Sequence, residues 1–267
     1  MHLICSKNVI KEVRLFSYKF DMPYKRIVAA TLCCWLVSVN VFAQTVHAIV
    51  GWTKPPYVIE ATSSGFELEL IREVFRLANI KVQYNYVPHG RLATLLEKGA
   101  ADIALTINPR QQPQGMVLSE PYIQYQNAVI SLKSMHVDVD KLEDLTDRSV
   151  VAFQNATKVL GAEYAAAVSE NTSYLEVPLQ SRQVELLMHK RTDMVVMDIN
   201  IFNYISRNIA GKSYMDNIHV NYYFPATNYH LGCTSEQLCN VFNRHYQLFI
   251  QSDLYLQLIN KYHFVQR

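Results

Sequence analysis

Glycine and proline are scarce in this 267-residue chain, at 8 and 9 residues, which excludes collagen-like or linker-dominated architecture. Charge is also sparse, at 18%, against 50% hydrophobic residues, and that balance excludes a disordered chain. The signatures GxSxG, HExxH, the P-loop and GxGxxG are all absent, so nothing points to a triad hydrolase, a zinc protease or a nucleotide enzyme. The nine histidines are scattered without ligand spacing, and neither a metal nor a cofactor is expected. DVDKLEDLTD (138–147) has carboxylates but lacks the Gly and closing Glu of a calcium loop; it reads as a solvated turn.

The formal net charge of +2 is set by the N-terminus. Residues 1–43 hold six of the 25 basic groups and two of the 23 acidic ones, leaving 19 against 21 in the remainder. No basic cluster survives there, so nucleic acid is excluded as a partner. Lys25-Arg26 precede an apolar run, Ile27 to Phe42, that ends at Ala43. A basic region, an apolar run and small residues before a cut describe a secretory signal, and the run is short for a membrane span. Cleavage is expected after Ala43, with Met22 as an alternative start, and the mature protein is expected in the periplasm.

Export leaves Cys233 and Cys239. In an oxidising compartment the pair can form a disulfide. CTSEQLC places Ser235 as a helix N-cap, with Cys239 one turn in and facing back towards Cys233. Two buried thiols are the other reading.

From Val46 onward, short β-rich runs alternate with amphipathic helices. VHAIVGW (46–52), KVQYNYV (81–87) and DIALTI (102–107) read as strands around helices at 66–78 and 91–99. NAVISL (127–132), SVVAF (149–153) and DMVVMD (193–198) form a second set, with helices predicted at 157–168, 180–190 and through most of 235–262. Strands and helices alternating at this spacing imply βαβ units around mostly parallel sheets.

Several segments carry a family resemblance in order: PPY (55–57), GFELELIREV (65–74), Gly99 to Asp102 with Ile103-Ala104, SEPY (119–122), KLEDL (141–145), VVAFQNAT (150–157), TDMVVMD (192–198), YHLG (229–232) and LYLQLINKYHF (254–264). Together they resemble the periplasmic solute-binding proteins of the polar-amino-acid class, family 3, over residues 46–265. The resemblance implies the two-lobed type II periplasmic-binding fold, α/β, each lobe a mostly parallel sheet flanked by helices. It places lobe 1 at 44–123 and 228–267, lobe 2 at 124–227, and a ligand cleft between them.

The same resemblance assigns ligand-binding roles. Asp198 matches the carboxylate that takes a ligand ammonium, and it also stands where a helix N-cap would. Thr157 matches the turn that holds a ligand carboxylate, with Ala156 replacing the usual Gly. Tyr57 and Trp52 are placed like an aromatic wall, Trp52 equally like a core residue. The carboxylate clamp departs from the pattern: TINPRQQPQGMVLSEPY is short, its count lands on Gln112, and Arg110 and Arg91 are the candidate cations. The function implied is a non-enzymatic, monomeric receptor that delivers a small amino-acid-like solute to an ABC permease. A sensory receptor for a membrane partner is the alternative, and a cyclohexadienyl-dehydratase-like enzyme a further one.

Overall fold

The computed structural model describes residues 44–109, 116–137 and 139–265. The predicted signal segment (1–43), Arg110 and Gln112 lie outside the described residues. The chain begins with β1 (Gln44–Gly51), α1 (Phe66–Leu77), β2 (Ile80–Val87), α2 (Leu92–Glu97), β3 (Ile103–Ile107) and β4 (Val117–Tyr125). It continues through β5 (Asn127–Leu132), β6 (Val150–Phe153), α3 (Ala156–Val159), α4 (Ala162–Ser169), β7 (Tyr174–Val177) and α5 (Gln180–Met188). The last elements are β8 (Met194–Asp198), α6 (Ile199–Ala210), β9 (Ile218–Asn221), β10 (Thr227–Cys233), α7 (Glu236–Phe249) and α8 (Asp253–Tyr262).

Two five-stranded sheets result, ordered β2-β1-β3-β10-β4 and β7-β6-β8-β5-β9. In the first, β1 pairs parallel to β2 and β3, and β10 runs antiparallel to β3 and β4, so four of five strands point one way. The second repeats the arrangement, with β5 as its reversed strand. Both sheets change winding direction at the same place, between the first strand and the third (β1/β3 and β6/β8). Such switch points open a crevice beyond the carboxyl ends of the strands.

Sequence pattern explains the layering. All five residues of β3 and all five of β8 are buried, as expected for strands covered on both faces. α1 buries Phe66, Leu70, Ile71, Val74 and Phe75 on one stripe. The predicted 157–168 helix divides into α3 and α4 at Gly161, whose φ of +99° suits glycine but no ordinary helical residue. The 235–262 helix likewise breaks into α7 and α8, and Ser235 and Ser252 each cap a helix with the side-chain oxygen. Among the described residues no helix is long and apolar enough to cross a membrane.

The chain passes between the sheets at Gln126, between β4 and β5, and again between Asn221 and Thr227. The C-terminal tail touches both sides as well. Phe264 stacks on Phe66 at 3.9 Å, while the Val265 amide donates to Asn200 on α6 at 2.6 Å.

Candidate functional site

A pocket of 140 Å³ opens at the carboxyl ends of β1, β2 and β3, lined by Gly51, Trp52, Lys54, Val58, His89, Thr106 and Tyr125. Trp52, 61% exposed, stands at its rim and not in the core. Lys54, half-buried, holds its Nζ 4.6 Å above the centre of the Tyr125 ring, a cation–π contact. Burial lowers the pKa of this ammonium, and the nearby charges of Glu67 and Asp198 oppose that effect. Nothing in the sequence alone singled Lys54 out, because a lone lysine before PPY has no motif.

Thr106, also in this wall, has φ +57°. A β-branched residue in the left-handed region costs on the order of 1–3 kcal/mol and persists only where its surroundings hold it. Here Thr106 Oγ1 donates to Glu67 Oε1 at 2.7 Å, and its amide meets the Tyr122 hydroxyl at 2.9 Å. Tyr122 donates in turn to the same Glu67 oxygen. Glu67 is fully buried, and its Oε2 has no hydrogen-bond partner among the described residues. Burial raises the Glu67 pKa; the bonds from Tyr122 and Thr106 and the charge of Lys54 oppose the rise.

Asp198 ends β8 and caps α6. Its Oδ1 accepts the amides of Asn200 (2.9 Å) and Ile201 (3.0 Å) and the Tyr57 hydroxyl (2.9 Å), while Oδ2 accepts the Gln126 amide (2.8 Å). The carboxylate thus caps a helix and ties together the chain crossing at Gln126 and the β1–α1 loop. It is 3% exposed, and burial lifts its pKa to about 6 against the pull of those bonds. Tyr57 is entirely buried over it, packed on Tyr125 at 4.1 Å between ring centres and edge-on to Phe264 at 5.4 Å. In this conformation Tyr57 closes Asp198 off and does not line the open pocket.

The second lobe presents a cradle at the switch point after β6, and the protein fills it. Glu176 Oε1 accepts the Thr157 amide (2.9 Å), the Thr157 hydroxyl (3.0 Å) and the Tyr174 hydroxyl (2.9 Å); Oε2 accepts the Asn155 amide at 2.6 Å. Burial pushes the Glu176 pKa up, but the bonds from Thr157, Tyr174 and Asn155 outweigh it and leave the carboxyl below its ordinary value. The donors expected to meet a ligand carboxylate therefore already hold a side-chain carboxylate. A Glu two residues after a Tyr on an edge strand gives no sequence signal of that role.

Arg91 is exposed at the start of α2 and does not line the pocket. The sulfurs of Cys233 and Cys239 are 2.02 Å apart, joining the end of β10 to the first turn of α7. A larger cavity, of 410 Å³, lies against the crossing at Tyr122–Gln126, α7, α8 and the tail residues Phe264 and Val265. It is not at the strand ends, and among the described residues no charged side chain lines it. Among the described residues no cluster of His, Cys, Asp or Glu could hold a metal ion.

Two switch points, a pocket with a cation and an aromatic rim, and two strand crossings between the sheets define a binding protein built for a small solute. Residues 48–265 match the model of bacterial extracellular solute-binding proteins, family 3, and the chain belongs to that family. No curated protein sequence matches it. Its fold is similar to that of the GluR0 ligand-binding core in complex with L-glutamate (17% identity, 83% of this chain and 99% of that one, TM-score 0.64). It is also similar to a polar amino acid ABC uptake transporter substrate-binding protein from Streptococcus thermophilus (17% identity, 82% and 85% covered, TM-score 0.60). A third likeness is to a histidine kinase sensor domain related to periplasmic binding proteins (17% identity, 84% and 97% covered, TM-score 0.62).

Proposed function

We propose that this protein is an extracytoplasmic receptor that captures a small polar, amino-acid-like solute between its lobes and hands it to an ABC permease, acting as a monomer. The observation that carries this reading is the pocket at the carboxyl ends of β1, β2 and β3, beside the crossing at Tyr125. In this proposal the lobes are 44–123 with 228–267, and 124–227, and the mature chain starts at Gln44. Trp52 closes over the solute from lobe 1, and Thr157 faces it from lobe 2. Asp198 meets a solute ammonium only after the Tyr57 hydroxyl withdraws, and Arg91 or Arg110 supplies a cation for the solute's acid.

The likeness to the Streptococcus thermophilus substrate-binding protein supports the transport partner, and the likeness to a kinase sensor domain supports sensing as a second reading. Binding is tested by a thermal-shift screen of the exported protein against amino acids, organic acids, polyamines and small peptides. A bound solute raises the melting temperature in proportion to the logarithm of its concentration; a flat response across the panel refutes the receptor reading. Uptake of the stabilising solute in cells lacking the protein then separates the two roles. Lost uptake supports transport, and normal uptake with a lost response supports sensing.

A further inference from the structure

The sequence points to a guanidinium clamp for the solute's acid, yet among the described residues the cation that lines the pocket is Lys54. Its ammonium carries three donors and no acceptor. Among the described residues it makes no ion pair, and its ammonium rests over the face of Tyr125. An ammonium withdrawn from water without an acceptor is costly, and an arriving anion relieves that cost.

Among the described residues neither neighbouring acid forms an ion pair with it, although Glu67 Oε2 is itself without a hydrogen-bond partner. Asp198 accepts four bonds from the protein, and Glu67 accepts two on Oε1. Neither acid lines the pocket. Both lie within electrostatic reach, and their charges oppose the lowering of the Lys54 pKa by burial. The carboxylate of Glu176 is likewise held by its own four donors. Among the described residues the pocket therefore offers an unpaired positive charge and no unpaired negative one on its lining, and Thr106, held at positive φ, lines the same wall.

We propose that Lys54 anchors the acidic group of the solute, so that the pocket selects small organic acids and amino acids through their carboxylate and does not select amines. This rests on the receptor reading above. A lysine is a point charge on a flexible stem, without the fixed fork of arginine, so carboxylates of differing orientation are accommodated.

The test uses the exported protein and three probes: L-glutamate, succinate and putrescine. At least one of the two acids is expected to stabilise the wild type, and putrescine is not. Lys54→Met keeps the stem over Tyr125 but removes the charge, and should weaken acid binding at least about tenfold, the lower bound for a charge-assisted bond. Lys54→Arg should retain part of it. Without ligand, Lys54→Met should be no less stable than wild type, because no protein acceptor is lost. Equal acid binding by wild type and Lys54→Met, stabilisation by putrescine, or a larger loss in Arg91→Met than in Lys54→Met overturns the proposal. Loss of ligand-free stability in Lys54→Met also overturns it, assigning the lysine to packing. If neither acid stabilises the wild type while another solute does, only the Lys54 assignment falls; if nothing in the wider panel does, the receptor reading falls too.

Discussion

Removal of the Asp198 carboxylate tests whether that group serves the fold at the crossing between lobes. In Asp198→Ala, α6 loses its cap, worth about 1 kcal/mol. The Gln126 amide and Tyr57 hydroxyl are also left without an acceptor in buried surroundings, at roughly 1–3 kcal/mol each. Together these give a loss of about 3–7 kcal/mol at low pH, with relaxation favouring the lower end. The pH dependence is the sharper part. Burial raises the folded-state pKa from 3.8 to about 6, so between those values the folded protein binds more protons than the unfolded chain. The contribution of Asp198 is then complete below pH 4 and declines as pH rises through 6. The total decline is on the order of 3 kcal/mol for a shift of about two units. Wild type and Asp198→Ala should therefore converge in stability between pH 4 and 7. Urea unfolding followed by far-UV circular dichroism at pH 4, 5, 6 and 7 measures this directly. Parallel profiles, or a loss under 0.5 kcal/mol at pH 4, would refute the reasoning.

Three further outcomes follow from other positions. Gly65 has φ +123°, and a Cβ there would lie 2.3 Å from the Tyr57 carbonyl oxygen, which itself accepts the Glu67 amide at 3.0 Å. Gly65→Ala should accordingly lower the melting temperature by several degrees; an unchanged melting curve would contradict that close approach. Replacing both Cys233 and Cys239 with Ser should cost about 2 kcal/mol, the loop-closure value for so short a loop, and free-thiol titration of the oxidised, unfolded wild type should find neither sulfur reactive. Because the folded-state pKa of Glu176 is depressed, its stabilising contribution is present above the ordinary carboxylate pKa and lost as pH falls through the folded value. Glu176→Gln should thus melt lower than wild type at pH 7 and approach it in acid, and a difference independent of pH would sink that account.

The fold was legible because it rests on periodicity. A run such as MVVMD, short and apolar up to its closing Asp198, reads as a strand buried on both faces, and its neighbours supply the helices that bury it. β4, β7, β9 and β10 were not legible as strands. β4 reads as SEPY and its flanks, a segment with a proline and mixed polarity, and its pairing with β10 joins residues over 100 positions apart. The site was legible only in part. Strand-end position together with the family resemblance pointed to Asp198, and the resemblance alone to the turn at Thr157. What those groups bond to depends on side chains distant in sequence: Tyr57 lies 141 residues from Asp198, and Glu176 lies 19 from Thr157. Lys54 and Thr106 carried no pattern at all, the first because a lysine in a loop is usually solvated, the second because a threonine in an apolar strand ordinarily has negative φ.

These contacts also bear on how recognition is divided between the two switch points. In each lobe the crevice is set by the same topology, yet each is furnished differently by the chain itself. Lobe 2 supplies backbone and hydroxyl donors and then satisfies them with Glu176, while the hinge satisfies Asp198 through Tyr57 and Gln126. Such internal satisfaction removes the cost of buried or converging polar groups in the ligand-free protein. Any solute group that replaces Glu176 or the Tyr57 hydroxyl must match bonds already made, so its net gain is small. Lys54 has no such internal acceptor, and a solute anion there adds an interaction without displacing one. On the proposed receptor reading, discrimination among solutes would fall on lobe 1, to which lobe 2 is tied through Tyr57 and through the tail bonds at Asn200 and Asn203.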